Sequence, residues 1–207
     1  MKKLVSILCA AALALSLAGC GAQAADTNTN TDTTAPVVST VYSLEDATVL
    51  TFTDSGITAQ DGGTGYEIDG TALTIDSAGT YAVTGTCADG SITIKKGTTG
   101  VTLVLNGLSL TSADTAPITC NKSTEVTIIA AEGSVNSLTD SARNNDDEYP
   151  DNEAAENAVI KCKDGSQVTL GGTGSLTITA NGKNGIKSGT TTAEEGEASL
   201  TICELTL

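Results

Sequence analysis

The chain has 207 residues, with 25 acids against 10 bases, no histidine and no tryptophan, and a formal charge of −15. Such a charge excludes a nucleic-acid-binding role, because a phosphate backbone needs a basic patch. The lack of histidine likewise excludes a Ser-His-Asp triad. With one Phe and four Tyr among 22 glycines, stacked aliphatics and backbone hydrogen bonds must take the place of a bulky aromatic core, in one domain preceded by a leader.

Taken in chain order, Lys2 and Lys3 precede an apolar run over residues 4–18, the n-region and h-region of an export signal. The run ends in Leu17-Ala18-Gly19-Cys20, which resembles the bacterial lipobox. By that resemblance residues 1–19 are a lipoprotein signal peptide, and Cys20 becomes a lipid-modified N-terminus on the extracellular face of the cell membrane. The alternative is an ordinary secretory signal with an incidental cysteine. Cleavage removes two lysines and no acid, so the charge moves from −15 to −17. Residues 20–40 are the lipidated cysteine and an Ala/Thr/Asn/Asp linker, too polar to bury a core.

Residues 41–207 carry a repeat. Val101-Thr102-Leu103, Val126-Thr127-Ile128, Val168-Thr169-Leu170 and Leu200-Thr201-Ile202 lie 25, 42 and 32 residues apart. A period in this range means stacked supersecondary units, with inserted loops where the spacing lengthens. Aligning these elements puts Ile92, Ile118, Ile160 and Ile186 in one column and Ile94, Cys120, Cys162 and Ser188 in the next. A third group follows each element: Leu108 to Leu110, Val135 to Leu138, and Leu176 to Ile178. Three short alternating strands per unit, with no helical periodicity between them, predict an all-β, right-handed parallel β-helix. Its inward residues stack about 4.8 Å apart, with Thr and Lys facing water. An antiparallel sandwich also has many short strands, but no reason to keep such columns in register.

Cys120 and Cys162 share an inward column and are assigned a packing role, with a disulfide after export as the alternative. With no CxxC spacing, the cysteines are not read as zinc ligands. The long spacing holds an acidic excursion over residues 140–157. Asp140, Asp146, Asp147, Glu148, Asp151, Glu153 and Glu156 stand there against one base, Arg143. Asn144, Asn145 and Asn152 add neutral oxygens, and hard oxygen donors in this density suit calcium. A solvated acidic loop has the same composition. The chain ends on Glu204-Leu205-Thr206-Leu207, inside an expected strand, from which further coils are expected beyond it.

The segments Thr102-Leu103-Val104-Leu105-Asn106-Gly107-Leu108-Ser109-Leu110, Ala131-Glu132-Gly133-Ser134-Val135-Asn136-Ser137-Leu138 and Gly171-Gly172-Thr173-Gly174-Ser175-Leu176-Thr177-Ile178 resemble coils of the clostridial carbohydrate-binding β-helix family. The resemblance covers residues 71–207. It implies a parallel β-helix with bound calcium that recognises plant-wall polysaccharide, polygalacturonate or cellulose, without catalysis. It also implies an acidic pair after the Ile-containing strand. Here Lys161-Cys162-Lys163-Asp164-Gly165 keeps only Asp164, and Lys187-Ser188-Gly189-Thr190 keeps no acid.

The expected function is therefore non-catalytic binding of an acidic, pectic polysaccharide by a membrane-anchored surface protein. Calcium would bridge protein and uronate carboxylates, held by Asp140, Asp146, Asp147, Glu148, Asp151, Glu153 and Asp164. A neutral glucan held by outward Thr, Asn and Lys is the weaker form of the same reading. A surface adhesin or stalk without a sugar ligand is the first alternative, and a pectate-lyase-like enzyme the second. Against the enzyme, the Gly-His-Gly element of polygalacturonases cannot occur, and Arg143, the sole arginine, lies among acids.

Overall fold

A computed structural model describes residues 42–60 and 62–207. The export signal, Cys20 and the linker lie outside these residues. Every regular element described is a strand, in chain order β1 (Thr48–Thr53), β2 (Gly56–Ala59), β3 (Tyr66–Asp69), β4 (Ala72–Ile75), β5 (Gly79–Cys87), β6 (Ser91–Ile94), β7 (Val101–Ser112), β8 (Ile118–Cys120), β9 (Glu125–Ala130), β10 (Val135–Asp140), β11 (Ala158–Cys162), β12 (Gln167–Gly171), β13 (Ser175–Thr179), β14 (Asn184–Lys187) and β15 (Ser199–Ile202).

The strands fall into two sheets, and from β5 onward every pairing between named strands is parallel. In the larger sheet the order runs β15-β12-β9-β7-β5-β1-β2, with β10 joined to β7 and β13. The smaller runs β14-β11-β8-β6-β4-β3. Parallel neighbours need a crossover between them, and here each crossover passes through the other sheet. Two antiparallel hairpins, β1–β2 and β3–β4, form the opposite end of the two sheets. Each is closed by a two-residue turn, Asp54-Ser55 in one and Gly70-Thr71 in the other. The hairpins lie before the repeat and were not anticipated from it.

Register pairs like residue with like. Val101 faces Val126, Val126 faces Val168, and Val168 faces Leu200. In the smaller sheet Ile92, Ile118, Ile160 and Ile186 are successive partners, as are Ile94, Cys120 and Cys162. All but Ile186 are buried, and Ile186 packs on the core from its edge. Each full burial of such an aliphatic contributes about 1.5–3 kcal/mol. Cys87, Cys120 and Cys162 are buried free thiols. A thiol hydrogen bond with Cys162, and next burial, push Cys120 well above the usual cysteine range, so it packs as a neutral side chain.

The third column departs from the expected pattern. Leu110, Leu138 and Ile178 align, but Asn136, not an aliphatic, pairs with Leu176. Val135 is 76% exposed, so it lies outside the core. Asn136 earns its buried place by hydrogen bonding. Its Oδ1 accepts from the Gly107 and Leu108 amides at 2.9 and 3.0 Å, and its Nδ2 donates to the Ser175 carbonyl at 3.1 Å. One amide side chain thus ties three units at the bend of β7, where the β5–β7 register shifts between Val83 and Gly85.

Candidate functional site

The acidic excursion over residues 140–157 is built from the inside. Asp140, 1% exposed, ends β10. Its Oδ1 accepts from the Asn181 and Gly182 amides at 2.6 and 3.1 Å, and its Oδ2 from Asn144 Nδ2 at 2.9 Å. Asn144 is fully buried and donates to the Ala158 carbonyl as well, while its Oδ1 accepts from the Glu156 and Asn157 amides. Asn152 Nδ2 donates to the Asp114 and Arg143 carbonyls, each at 2.7 Å. These side chains replace the backbone pairing that an irregular loop lacks.

The remaining acids diverge. Asp147 pairs with Lys183, Glu156 with Lys163 at 2.6 Å, and Arg143 with Asp114 at 2.6 Å while lying 5.5 Å from the Tyr149 ring centre. Asp146, Glu148, Asp151 and Glu153 are exposed. Asp164 lies on another loop and accepts from the Thr190 amide at 3.1 Å. Calcium takes six to eight oxygens in one shell. Among the described residues no three acidic or thiol groups converge in such a cage. The expected ligand set Asp140, Asp146, Asp147, Glu148, Asp151, Glu153 and Asp164 therefore does not come together as it stands: Asp140 is taken up by amide donors and Asp147 by an ammonium group.

A different group of side chains does converge. On the smaller sheet's face away from the core, Thr74 pairs with Thr93, Thr93 with Thr119, Thr119 with Lys161, and Lys161 with Lys187, Thr119 itself being buried. Beside the lysine end lies a cleft of about 370 Å³ whose lining includes Lys122, Lys161, Lys163 and Lys187 together with Glu156 and Asp164. Four of the chain's ten basic residues thus line one concavity. Burial, and next the Lys187 ammonium, hold Lys161 below the usual lysine range. An anion placed there would relieve both that repulsion and part of the desolvation cost.

Close backbone approach shapes the cleft. Any Cβ on Gly189 would overlap the Lys163 carbonyl, and any on Gly165, at φ +69°, the Glu195 carbonyl. The turn after β11 therefore rests directly on the loop between β14 and β15. That loop brings Glu195 to the cleft's edge. Its Oε1 lies 2.8 Å from Lys96 Nζ and 3.7 Å from Lys122 Nζ, and its Oε2 accepts from Ser123 Oγ at 2.9 Å. The Lys96 and Ser123 hydrogen bonds hold this carboxyl below its usual range.

A second, more open concavity of about 610 Å³ is lined by Tyr42, Ser43, Leu44, Glu45, Glu132, Gly172 and Thr173. It holds one aromatic ring and two carboxylates but no cation, and Tyr42 Oη is already accepting from the Glu132 amide at 3.1 Å.

Residues 69–201, well over half the chain, match the family model described as "Carbohydrate-binding domain-containing protein". The chain belongs to that family. A solved structure of a polysaccharide lyase-like protein from C. thermocellum, a gadolinium derivative, is similar at 31% identity with a TM-score of 0.56. The match covers 68% of this chain and 55% of that one, so the chain spans about half the length of its structural relative. No curated protein matches it.

Sequence reasoning missed the lysine cleft. The signal was present, because Lys161 and Lys187 each follow the stacked isoleucine, 26 residues apart. An overall charge of −15 drew attention to the acids instead.

Proposed function

We propose that this chain is a non-catalytic polysaccharide-binding module, wound as a right-handed parallel β-helix and laying an acidic plant-wall polysaccharide along the outer face of its smaller sheet. The observation that carries the reading is the in-register pair Lys161 and Lys187 lining a cleft at the end of the outer face, in a member of a carbohydrate-binding family. Repetition suits a repetitive ligand: the Lys161 and Lys187 positions on adjacent strands lie about 4.8 Å apart, of the order of one sugar unit. The exposed aromatic platforms that would favour a flat cellulose face are scarce in a chain with one Phe and four Tyr.

In this reading the module is exported and held at the cell surface by lipid on Cys20, with residues 21–40 as its tether. Replacing Cys20 by Ala should move the protein from the membrane fraction to the medium. The function is tested by co-sedimentation of residues 41–207 with polygalacturonate, cellulose and neutral glucans, each with calcium and with EDTA. Binding to at least one of them is expected. Binding to none would favour the adhesin or stalk. Binding lost in EDTA would favour calcium shared between a uronate and the exposed Asp146, Glu148, Asp151 and Glu153.

One observation favours a second reading. A lysine in a cleft with its pKa lowered is a group that could remove a proton from a uronate, and the structural relative is called polysaccharide lyase-like. Elimination would release unsaturated uronate, seen as new ultraviolet absorbance on incubation with polygalacturonate. The non-catalytic reading expects none.

A further inference from the structure

We infer that the lysine cleft is a carboxylate-reading subsite, in which ammonium groups of Lys122, Lys161 and Lys187 contact uronic-acid carboxylates directly, without a bridging metal ion. The inference rests on the polysaccharide-binding reading and names the ligand class and the contacts.

Three observations carry it. First, the cations are concentrated against the trend of the chain, four lysines in one cleft on a protein with 25 acids and 10 bases. Within the cleft only Glu156 and Asp164 oppose them. Glu156 is bound to Lys163 and Asp164 accepts from the Thr190 amide, which leaves Lys161 and Lys187 without a carboxylate partner among the ion pairs of the described residues. Lys161 and Lys187, paired on adjacent strands without a carboxylate of their own, repel one another, and that pairing does not serve the stability of the fold.

Second, the backbone sets the lysines side by side. Lys161 and Lys187 are paired residues on adjacent parallel strands, and Gly189 and Gly165 admit no side chain.

Third, the structure holds an internal example of the chemistry. At the cleft's edge the Glu195 carboxylate lies between Lys96 and Lys122 and accepts from Ser123 Oγ. Lys122 lines the cleft as well. The same cation that meets a carboxylate of its own chain on one side thus faces the unpaired lysines on the other. A uronate beside Lys161 and Lys187 would extend that pattern by one unit, with charge-assisted hydrogen bonds of the same kind. The net negative charge of the protein opposes long-range approach of a polyanion. At 0.15 M salt, however, this repulsion is screened beyond about 8 Å, while contacts within the cleft are not.

The test is calorimetric titration of a polygalacturonate fragment, its fully methyl-esterified form and a neutral glucan fragment into residues 41–207, all in EDTA. The proposal expects the free acid to bind and the ester to bind about tenfold or more weakly, one such factor being the worth of a single lost charged contact. Lys161→Gln with Lys187→Gln should weaken the acid by at least the same factor. Lys183→Gln, which removes the partner of Asp147 outside the cleft, should leave it unchanged. Circular dichroism of each variant separates loss of contact from loss of fold, and Lys187→Gln alone, at an exposed position, gives a second measurement if the double variant unfolds. Equal binding of acid, ester and glucan would overturn the carboxylate contacts but leave the polysaccharide reading standing. Binding of the acid only when calcium is restored would overturn direct contact in favour of a metal bridge. Binding of nothing, with or without calcium, would overturn both readings.

Discussion

The acidic excursion and the lysine cleft lie on neighbouring coils and use charge in opposite ways. In the excursion the charges and amides are consumed by the fold: Asp140, Asn144 and Asn152 accept from or donate to backbone groups, and Asp147 is paired with Lys183. In the cleft Lys163 and Lys122 meet Glu156 and Glu195, but Lys161 and Lys187, set side by side by the sheet, have no carboxylate partner among the ion pairs of the described residues. Burial, followed by the Lys187 ammonium, holds Lys161 below the usual lysine range. Density of charge in the sequence therefore does not mark the site. A site is marked by charge the fold has left unspent.

This contrast can be broken most forcefully at Asn144. Replacing it by Ala strands the Asp140 carboxylate oxygen, the Ala158 carbonyl and the Glu156 and Asn157 amides in a buried place. With each orphaned group costing about 1–3 kcal/mol, urea denaturation should show a loss of about 3 kcal/mol or more. A loss under about 1 kcal/mol would mean that the Asn144 hydrogen bonds do not hold the excursion in place. Gly189→Ala should come next, at about 1–3 kcal/mol for forced overlap with the Lys163 carbonyl. It should lower polysaccharide affinity together with the melting temperature, since the same contact shapes the cleft.

The pH dependence of Glu195 is a smaller effect with a definite sign. Its folded pKa is lowered by Lys96 and Ser123, so its contribution is fully present above the unfolded value of about 4.5 and is lost as pH falls through the folded one. Melting curves of the parent and Glu195→Gln should differ near neutrality and converge in acid. A constant difference would point to packing instead of charge. Smallest of all, Asp151→Asn with Glu153→Gln should change stability by no more than about 0.5 kcal/mol. A larger drop in calcium than in EDTA would reopen a metal role for the excursion.

Much of the fold was legible because its repeat is local and alternating. Val101, Val126, Val168 and Leu200 could be set in one column by counting, and the register pairs them. What was not legible depended on partners distant in sequence. Asn136 falls where an aliphatic was expected because it ties Gly107, Leu108 and Ser175, and no alternation pattern carries that information. Asp140 read as a metal ligand for the same reason, since its amide donors are Asn181 and Gly182, about forty residues on by the chain numbering. The hairpins β1–β2 and β3–β4 carry ordinary turn residues, Asp54-Ser55-Gly56 and Asp69-Gly70-Thr71, but sit outside the repeat that organised the reading. The lysine column needed only the alignment already in hand, with the outward positions read as carefully as the inward ones.

The most direct test of the central claim, that the polysaccharide lies on the lysine face, is amine footprinting with an acylating reagent, read by mass spectrometry with and without polygalacturonate in EDTA. The account predicts that ligand protects Lys122, Lys161 and Lys187 while Lys95 and Lys183 react as before. Unchanged labelling in the cleft, under conditions where binding is measured independently, would contradict it.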